Sequence, residues 1–320
     1  MSQTLVSIII PTYNRAGLVA EAINSAKAQS YPAKQIIVID DGSQDNTAQV
    51  VAKFENVEYY YQENRGQAAA RNLGLSHAKG EYVASLDSDD VWDKNFLAVA
   101  VAALEQHGLD FVFLNWTEIT GLKLTKSDWL RSNRWRKYYN KLNGEWSLLN
   151  AAEVRKLFVD TCPAPSSALL IRRSSFVSCW NEEMKIADDW FLILEMVLMK
   201  PCRAAFTLSP YWTKNIHSSN IYHGRDSLEI IRNLGLHDEV LIAHHFRDQL
   251  TIFEKAVLKK RLANHHFNLG RLTWRRDGYS HSSLRSIAIA FTLAPIGSLF
   301  YMIQLCFYHL KKRILIPQDE

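Results

Sequence analysis

Short apolar segments alternate with amphipathic segments over the first 116 residues of the chain. The apolar segments are rich in β-branched side chains, and the segments between them repeat apolar residues at helical spacing. This alternation predicts an α/β fold in which parallel strands are joined by crossover helices. The predicted strands are Val6–Pro11, Gln35–Asp40, Val57–Tyr61, Glu81–Leu86 and Asp110–Asn115, and a representative helix is Gly17–Gln29.

The pattern changes after residue 116. Regular segments return at Ser166–Arg172 and Asp188–Met199, which indicates that the sheet is completed late in the chain. From Asp226 to Arg276 the sequence is typical of helices. The predicted organisation is one α/β domain over residues 1–225, divided into a first half (1–116) and a second half (117–225), followed by a helical extension over residues 226–320.

The apolar segment 287–310 within this extension has three interpretations. It is near the length of a membrane span, but Pro295 and Gly297 interrupt it. A pair of helices lying on the membrane surface, with the basic run 311–313 at anionic headgroups, fits the same residues. A buried C-terminal helix is the third interpretation.

The net charge of +4 is unevenly distributed. The stretch 123–141 contains seven basic residues and one acidic residue, Asp128. Such a stretch is typical of a surface that meets phosphates on a substrate, a membrane or a nucleic acid, and equally of a solvated loop.

The cysteines and the N-terminus both indicate a cytoplasmic protein. The four cysteines are far apart and have no metal-ligand spacing, so we expect reduced thiols and no disulfides. The first residues lead directly into an apolar strand without the basic and apolar regions of a signal peptide.

Polar side chains follow the predicted strands at the edge where ligands bind in open α/β sheets. Tyr13, after the first strand, is suited to stacking on a nucleotide base. After the second strand, Asp41 is suited to accepting hydrogen bonds from a base or a ribose, and Gly42 permits a tight turn there. Arg71 is suited to holding a nucleotide phosphate.

Asp87 and Asp89 directly follow the fourth predicted strand, with Ser88 between them. Two carboxylates at this spacing can face one ligand through a turn, and they suit Mn²⁺ or Mg²⁺, which takes its other ligands from substrate phosphates and water. Such a cation neutralises charge on a departing diphosphate. The alternative is an acidic turn that caps a helix beginning near Asp93.

In their order and spacing, these motifs resemble those of glycosyltransferase family 2. The matching segments are Val6–Asn14, Asp40–Ser43 with Asp45 and Thr47, Asn64–Gly66, Ala70–Asn72 and Asp87–Asp90. The resemblance implies the GT-A fold, a Rossmann-like, mostly parallel sheet flanked by helices. It also implies inverting transfer of a sugar from a nucleoside-diphosphate sugar, usually a UDP-sugar, with the help of a divalent metal ion.

The resemblance assigns roles to individual residues of the donor site. The implied nucleotide-sugar-binding residues are Pro11, Tyr13, Asp41, Arg71, Asp87 and Ser88. Asp89 is the implied principal metal ligand. His217 lies where many relatives have a histidine near the diphosphate or metal, although a core or surface histidine is an equal alternative.

The second half of the domain resembles the acceptor side of the same family. Ser166 lies in a segment like the family's acceptor loop. The segment Ala187–Trp190 resembles the Glu-Asp-Trp motif, with Asp188 in place of the glutamate, so Asp189 is the implied catalytic base and Asp188 and Trp190 are acceptor-side residues. A carboxylate at the start of an amphipathic helix is suited to taking a hydroxyl proton, or alternatively to stabilising the helix N-terminus.

Two differences from family patterns refine the prediction. Trp180 and Asn181 replace a glycine-containing turn, which leaves the geometry of the loop before Asp189 open. The Gln-x-x-Arg-Trp signature of processive synthases is absent after Asp189, which favours transfer of a single sugar. The family resemblance and the apolar segment 287–310 together imply a saccharide or polyprenyl-diphosphate-linked acceptor in surface glycan synthesis, and peripheral contact with the cytoplasmic face of the cell membrane.

Two other functions fit parts of the sequence. A sugar nucleotidyltransferase would use the same nucleotide site, but such enzymes usually carry a glycine-rich loop with a basic residue after the first strand, where this chain has Thr12-Tyr13-Asn14. A nucleic-acid-binding protein would use the basic stretch 123–141. The acidic strand ends argue against that alternative because they repel phosphate backbones, so no nucleic-acid partner is expected.

Overall fold

The computed structural model describes residues 3–121, 123–126, 130, 142–217, 220 and 226–303. The chain forms two compact units, Met1–His223 and Gly224–Glu320. Most of the basic stretch 123–141 and the end of the apolar segment, 304–310, lie outside the described residues.

The described residues of the first unit form an eleven-stranded sheet with helices packed against it, so the predicted α/β class is confirmed. The strands are β1 Val6–Thr12, β2 Lys34–Asp40, β3 Glu58–Tyr61, β4 Tyr82–Ser85, β5 Asp90–Trp92, β6 Phe111–Thr120, β7 Lys123–Lys126, β8 Leu142–Asn143, β9 Trp146–Leu149, β10 Leu169–Arg172 and β11 Ala204–Ile216. Their order is β3-β2-β1-β4-β10-β6-β11-β9-β8, with β5 paired to β11 and β7 paired to β6.

Strand direction divides this sheet into two parts. The strands β3, β2, β1 and β4 pair in parallel, as the sequence predicts. The sheet as a whole is mixed, because β10 enters between β4 and β6 and runs antiparallel to both, while β6 and β11 pair in parallel. The apolar pattern of residues 169–172 identifies a buried strand but carries no information on its direction.

Helices cover the sheet and position its loops. In the part of the first unit that the structure describes, the α-helices are α1 Val19–Lys27, α2 Thr47–Val51, α3 Gln67–His77, α4 Phe96–His107, α5 Ala151–Asp160 and α6 Asp188–Met199. α3 approaches β1 closely, since a Cβ atom placed on Gly74 would lie 2.4 Å from Ile9 Cγ2. α4 begins after Asn95, so the acidic turn at 87–90 does not cap it and the capping alternative is wrong.

The second unit is helical. Its elements are α7 Ser227–Ile230, the π-helix Ile231–Asp238, α8 Glu239–His245, α9 Ile252–Asp277, α10 His281–Leu293 and α11 Pro295–Ile303. Capping boxes begin α9 at Thr251 and α10 at Ser280. Ala263 and Phe267 of α9 pack with Ala290 of α10 to form a small apolar core.

The described helices were also compared with the length and hydropathy of a membrane span. No single one of them is both long and apolar enough to cross a membrane. The pair α10 and α11 meets the criteria together, and the chain bends by 119° between the two helices.

Candidate active site

The loops that follow β1 and β2 are tied together at the carboxyl edge of the sheet. The backbone N–H of Asn14 donates to Ser43 Oγ at 2.8 Å, and the N–H of Gln44 donates to Asn14 Oδ1 at 2.8 Å. Gly42 has a φ of +85°, and a Cβ atom there would lie 2.8 Å from the backbone nitrogen of Asn64. Only glycine therefore fits this turn without strain. Tyr13 projects from the rim with about half of its surface exposed.

Asp41 organises the loop that leads into α3. Its carboxylate is buried and accepts hydrogen bonds from Gln62 Nε2 at 2.6 Å, from the N–H of Arg65 at 2.9 Å and from the N–H of Gly66 at 2.8 Å. A carboxylate has about four acceptor positions, so roughly one remains for a further donor. The contact of Asp41 with a nucleotide base stays a prediction, for which that position would be open.

Three carboxylates meet in the turn between β4 and β5. Asp87, Asp89 and Asp90 each place a ligand oxygen within 4.8 Å of the other two. Burial and the neighbouring carboxylates raise the pKa of Asp90 well above its usual range. Like charges this close disfavour ionisation, and a divalent cation removes that penalty while accepting hard oxygen ligands. The donor set therefore fits Mg²⁺ or Mn²⁺.

Asp89 and His217, which are 128 residues apart in the chain, come together at this turn. His217 Nε2 lies 3.1 Å from Asp89 Oδ2, and Asn220 Nδ2 donates to the same oxygen at 3.1 Å. Arg15 approaches it at 3.6 Å. The end of β11 thus supplies polar groups to the acidic turn, and the predicted metal roles of Asp89 and His217 remain predictions.

Arg71 is buried on α3 and connects the two halves of the site. Its Nη2 donates to Asp87 Oδ1 at 2.7 Å, its Nε donates to Ser85 Oγ at 3.1 Å, and its Nη1 forms an ion pair with Asp188. The two carboxylates raise the pKa of Arg71 against the effect of burial. Sequence reasoning placed this guanidinium against the nucleotide, whereas in the structure all three of its nitrogens contact protein groups.

Asp188 faces α3 from the first turn of α6. It is fully buried, and besides Arg71 it accepts a hydrogen bond from Gln67 Nε2 at 2.5 Å. The aspartate that replaces the family's usual glutamate therefore fixes the N-terminal end of α6 against α3. Its predicted acceptor-side role stays a prediction.

Asp189, the next residue, is partly exposed. Its Oδ1 accepts the backbone N–H of Trp190 at 2.7 Å, and Ser166 Oγ lies 3.4 Å from its Oδ2. Burial and the nearby carboxylate of Asp188 raise the pKa of Asp189 to about 7, while Arg71 acts in the opposite direction. A carboxylate with that pKa is well matched to taking a proton near neutral pH.

The other residues predicted for the site are buried beneath it. Trp190 lies in the core, where its Nε1 donates to the carbonyl oxygen of Phe158 at 2.7 Å and so holds α6 against α5. Pro11 is buried within β1, and Ser88 is buried in the acidic turn. Ser166, also buried, reaches Asp189 from the segment that precedes β10.

The loop before α6 is fixed by Asn72, a residue to which sequence reasoning gave no separate role. Asn72 Oδ1 accepts the N–H of Trp180 at 2.9 Å, and its Nδ2 donates to the carbonyl oxygen of Trp180 at 2.9 Å. The indole is buried, and together with Asp189 it lines a mostly apolar cavity with room for roughly one water molecule. Trp180, where the family usually has a glycine-containing turn, thus forms an apolar wall beside Asp189.

Ser167 is a second residue that the sequence did not single out. Its Oγ donates to Asp90 Oδ2 at 2.7 Å and accepts the N–H of Asp87 at 3.1 Å, while Trp92 Nε1 donates to its carbonyl oxygen at 2.8 Å. The acceptor-side loop therefore holds the acidic turn in place. The sequence feature that could have identified Ser167 is its position directly after Ser166 in the segment that resembles the acceptor loop.

Comparison with solved structures shows the GT-A fold. The S. aureus TarS fragment 1–349 in complex with UDP-GlcNAc has a TM-score of 0.62 at 22% identity, covering 90% of this chain and 79% of that one. The mannosyltransferase PcManGT from Pyrobaculum calidifontis, in complex with GDP-Man and Mn²⁺, has a TM-score of 0.58 at 20% identity, covering 97% of this chain and 81% of that one.

The sequence comparison identifies the family. The sequence model of glycosyl transferase family 2 matches residues 7–177, more than half of the chain. This chain belongs to glycosyl transferase family 2, as its motifs indicated.

Individual relatives align with only part of the chain. The Escherichia coli UDP-Glc:alpha-D-GlcNAc-diphosphoundecaprenol beta-1,3-glucosyltransferase WfgD is 35% identical over 119 residues, which cover 36% of this chain and 47% of WfgD. The glycosyltransferase GlyG of Streptococcus pneumoniae serotype 4 is 30% identical over 166 residues, covering 48% of this chain and 55% of GlyG. The glycosyltransferase RC0461 of Rickettsia conorii is 37% identical over 122 residues, covering 37% of this chain and 20% of RC0461. The chain thus spans between a fifth and about half of the length of these relatives.

Proposed function

We propose that this chain transfers one sugar, with inversion of configuration, from a nucleoside-diphosphate sugar to a hydroxyl of a saccharide or lipid-linked acceptor. The observation that carries the proposal is the buried ion pairing of Arg71 with Asp87 and Asp188. Arg71 contacts both the acidic turn, which is suited to a cation, and the helix that carries Asp189. It therefore fixes the position of one relative to the other. A donor site and a general base held in this way are what direct displacement requires.

In the proposed reaction, Asp189 accepts the proton of the acceptor hydroxyl as the acceptor oxygen bonds to the anomeric carbon. The bond between that carbon and the diphosphate breaks, and its electron pair leaves with the nucleoside diphosphate. Attack from the face opposite the leaving group inverts the configuration at carbon. The apolar wall formed by Trp180 limits the space on one side of Asp189 to roughly one water molecule, which supports its raised pKa.

The proposed donor site is the acidic turn with the loops after β1 and β2. Asp87, Asp89 and Asp90 offer ligands for Mn²⁺ or Mg²⁺, which when bound supplies positive charge for the departing diphosphate. Tyr13 is exposed at the rim, where it can stack on the base, and Asp41 has room for one further donor. Arg71 acts by positioning Asp87 and Asp188 rather than by touching the nucleotide.

The proposed nucleotide is UDP, and the proposed pathway is synthesis of a surface or lipid-linked glycan in the cytoplasm. Support for the nucleotide comes from WfgD and the TarS complex, whose names include UDP-Glc and UDP-GlcNAc. The name of WfgD also specifies a diphosphoundecaprenol-linked acceptor. Family membership favours glycosyl transfer over the nucleotidyl transfer and nucleic-acid binding considered from the sequence.

The donor site is tested by thermal unfolding with UDP and Mn²⁺. A ligand at about 100 times its dissociation constant adds about 2.7 kcal/mol to the free energy of unfolding. For a unit of this size, that raises the midpoint temperature by roughly 5–10 °C. We expect UDP with Mn²⁺ to produce such a shift, and Asp89→Asn to abolish the part that depends on the metal.

A matched control is Asp160→Asn, which removes a surface carboxylate paired with Lys156 and should leave the shift unchanged. If a panel of nucleoside diphosphates with Mn²⁺ or Mg²⁺ gives no shift in folded protein, the proposed donor site is wrong. If only a guanine nucleotide gives the shift, the glycosyltransferase proposal stands and the choice of UDP is wrong.

The rate of transfer should depend on pH through Asp189. Because the reaction needs the ionised carboxylate and its pKa is about 7, kcat/KM should rise tenfold per pH unit below that value and level off above it. Asp188, Arg71 and Asp87 are the charged groups that act on Asp189. Trp180→Gly should shift the inflection to lower pH because it admits water to the carboxylate. An inflection near pH 4 in the parent protein would contradict this assignment.

A further inference from the structure

Helix α11 of the second unit is fixed to its neighbours by polar and aromatic contacts on one side. Ser298 is buried, and its Oγ donates to the carbonyl oxygen of Ala290 at 2.8 Å. Three residues later, the ring of Tyr301 packs edge-on against Phe267 at 5.8 Å, and Asn268 Nδ2 donates to its hydroxyl oxygen at 2.8 Å. The inner side of α11 therefore carries its hydroxyl groups.

The outer side of α11 is apolar. Ile296, Leu299, Phe300 and Ile303 follow the spacing i, i+3, i+4, i+7 that places residues on one face of a helix. Their exposed fractions are 84%, 48%, 59% and 41%. These four side chains are here called the α11 stripe. An ordinary surface helix of a globular protein has the opposite arrangement, with its apolar stripe turned inward.

The helix α9, which packs against α11, is basic. Helix α9 has seven basic and two acidic residues, and the Lys260 side chain lies against α11, since a Cβ atom on Gly297 would be 3.6 Å from Lys260 Cγ. In the sequence, no acidic residue occurs between Asp277 and Asp319, a range that contains Arg285 and the run 311–313. The exposed apolar face of α11 thus occurs in a part of the chain with an excess of positive charge.

We infer that the α11 stripe docks this protein on an anionic lipid surface, where its side chains enter the headgroup boundary and Lys260 and its neighbours contact lipid phosphates. Basic amphipathic helices bind membranes in this way, through apolar burial together with attraction to anionic lipids. A second copy of the chain is a poorer partner, because a symmetric contact through this stripe would bring two basic α9 helices together. The inference rests on the second unit alone and is independent of the donor chemistry.

The test is flotation of the full-length protein with vesicles of phosphatidylcholine, with or without phosphatidylglycerol. We expect binding to the phosphatidylglycerol vesicles and little to the neutral ones. Roughly 1 M salt, where the Debye length is about 3 Å, should weaken the binding. Leu299→Ser combined with Phe300→Ser should weaken it by at least about tenfold. The matched control combines Met199→Ser and Val240→Ser, two apolar side chains of similar exposure, 43% and 42%, and should bind like the parent protein.

Four outcomes overturn the inference. The first is equal vesicle binding by the two double variants, and the second is no vesicle binding by the parent protein. The third is vesicle binding that appears only when residues 304–320 are removed. The fourth is a dimer that the Leu299→Ser and Phe300→Ser changes convert to a monomer. The third would assign the stripe to the protein's own C-terminus, and the fourth to a second copy. The UDP thermal shift, measured on the same samples, reports the donor site separately and shows that each variant is folded.

Discussion

Replacing Asp189 with asparagine is expected to lower the rate of sugar transfer by about 10³-fold while leaving nucleoside-diphosphate binding unchanged. A general base contributes about 10²–10⁴-fold to a rate, and asparagine keeps the shape of the side chain but cannot accept the hydroxyl proton. The measurement is release of nucleoside diphosphate from the donor in the presence of acceptor, together with the thermal shift on UDP and Mn²⁺.

The same variant should not lose stability. The pKa of Asp189 in the folded protein is about 7, above the ordinary value of 3.8, so the ionised carboxylate costs folding free energy at pH 8 and asparagine removes that cost. The matched control is Glu183→Gln, which neutralises an exposed acid in the preceding loop and should keep full activity. Transfer within tenfold of the parent rate in Asp189→Asn would mean that another group is the base.

Replacing Arg71 with methionine is expected to lower the free energy of unfolding by about 3–5 kcal/mol, because Asp188 then remains buried without its partner. An uncompensated buried carboxylate favours its protonated form, so the loss should shrink as the pH falls from 8 to about 5. The measurement is urea denaturation at both pH values.

The comparison variant is Arg65→Met, whose ion pair with Glu182 is exposed and should be worth about 1 kcal/mol or less. If Arg71→Met does not fold, Arg71→Lys, which keeps the charge but not the three-way contact, measures a smaller loss of the same sign. If Arg71→Met lowers the free energy of unfolding no more than Arg65→Met does, Arg71 is not the link between the two halves of the site.

Much of the first half of the fold could be predicted from the sequence because β1, β2 and β4 are buried on both faces. The predicted strand Val6–Pro11 differs by one residue from β1, and Gln35–Asp40 differs by one residue from β2. The position of Asp41 follows from the end of β2, and that of Asp89 follows from the end of β4, which the sequence predicts at Glu81–Leu86. The strands β5, β7, β8, β9 and β11 were not predicted. β5, β7, β8 and β9 lie in segments without the continuous apolar run of β1 or β2, and the register of β11 shifts around Pro210, which interrupts its pattern.

The connections within the site could not be predicted in the same way. Sequence reasoning identified Arg71 as a phosphate ligand because an arginine beside polar strand ends suits that role, whereas its contacts with Asp87 and Asp188 depend on how α3 and α6 pack. The approach of His217 to Asp89 was expected only through the family resemblance. Trp180 was noted as a difference from the family, but its place beside Asp189 depends on the Asn72 contacts.

The position of β10 has a consequence for the order in which the chain folds during synthesis. β4 ends at Ser85, yet its neighbour on one side, β10, begins only at Leu169. Until the ribosome has released that segment, the edge of β4 has no partner, and an unpaired edge of a growing sheet is where nascent chains associate with one another. The same late strand separates β4 from β6. The first 116 residues therefore contain β4 and most of β6 but lack the strand that joins them in the sheet.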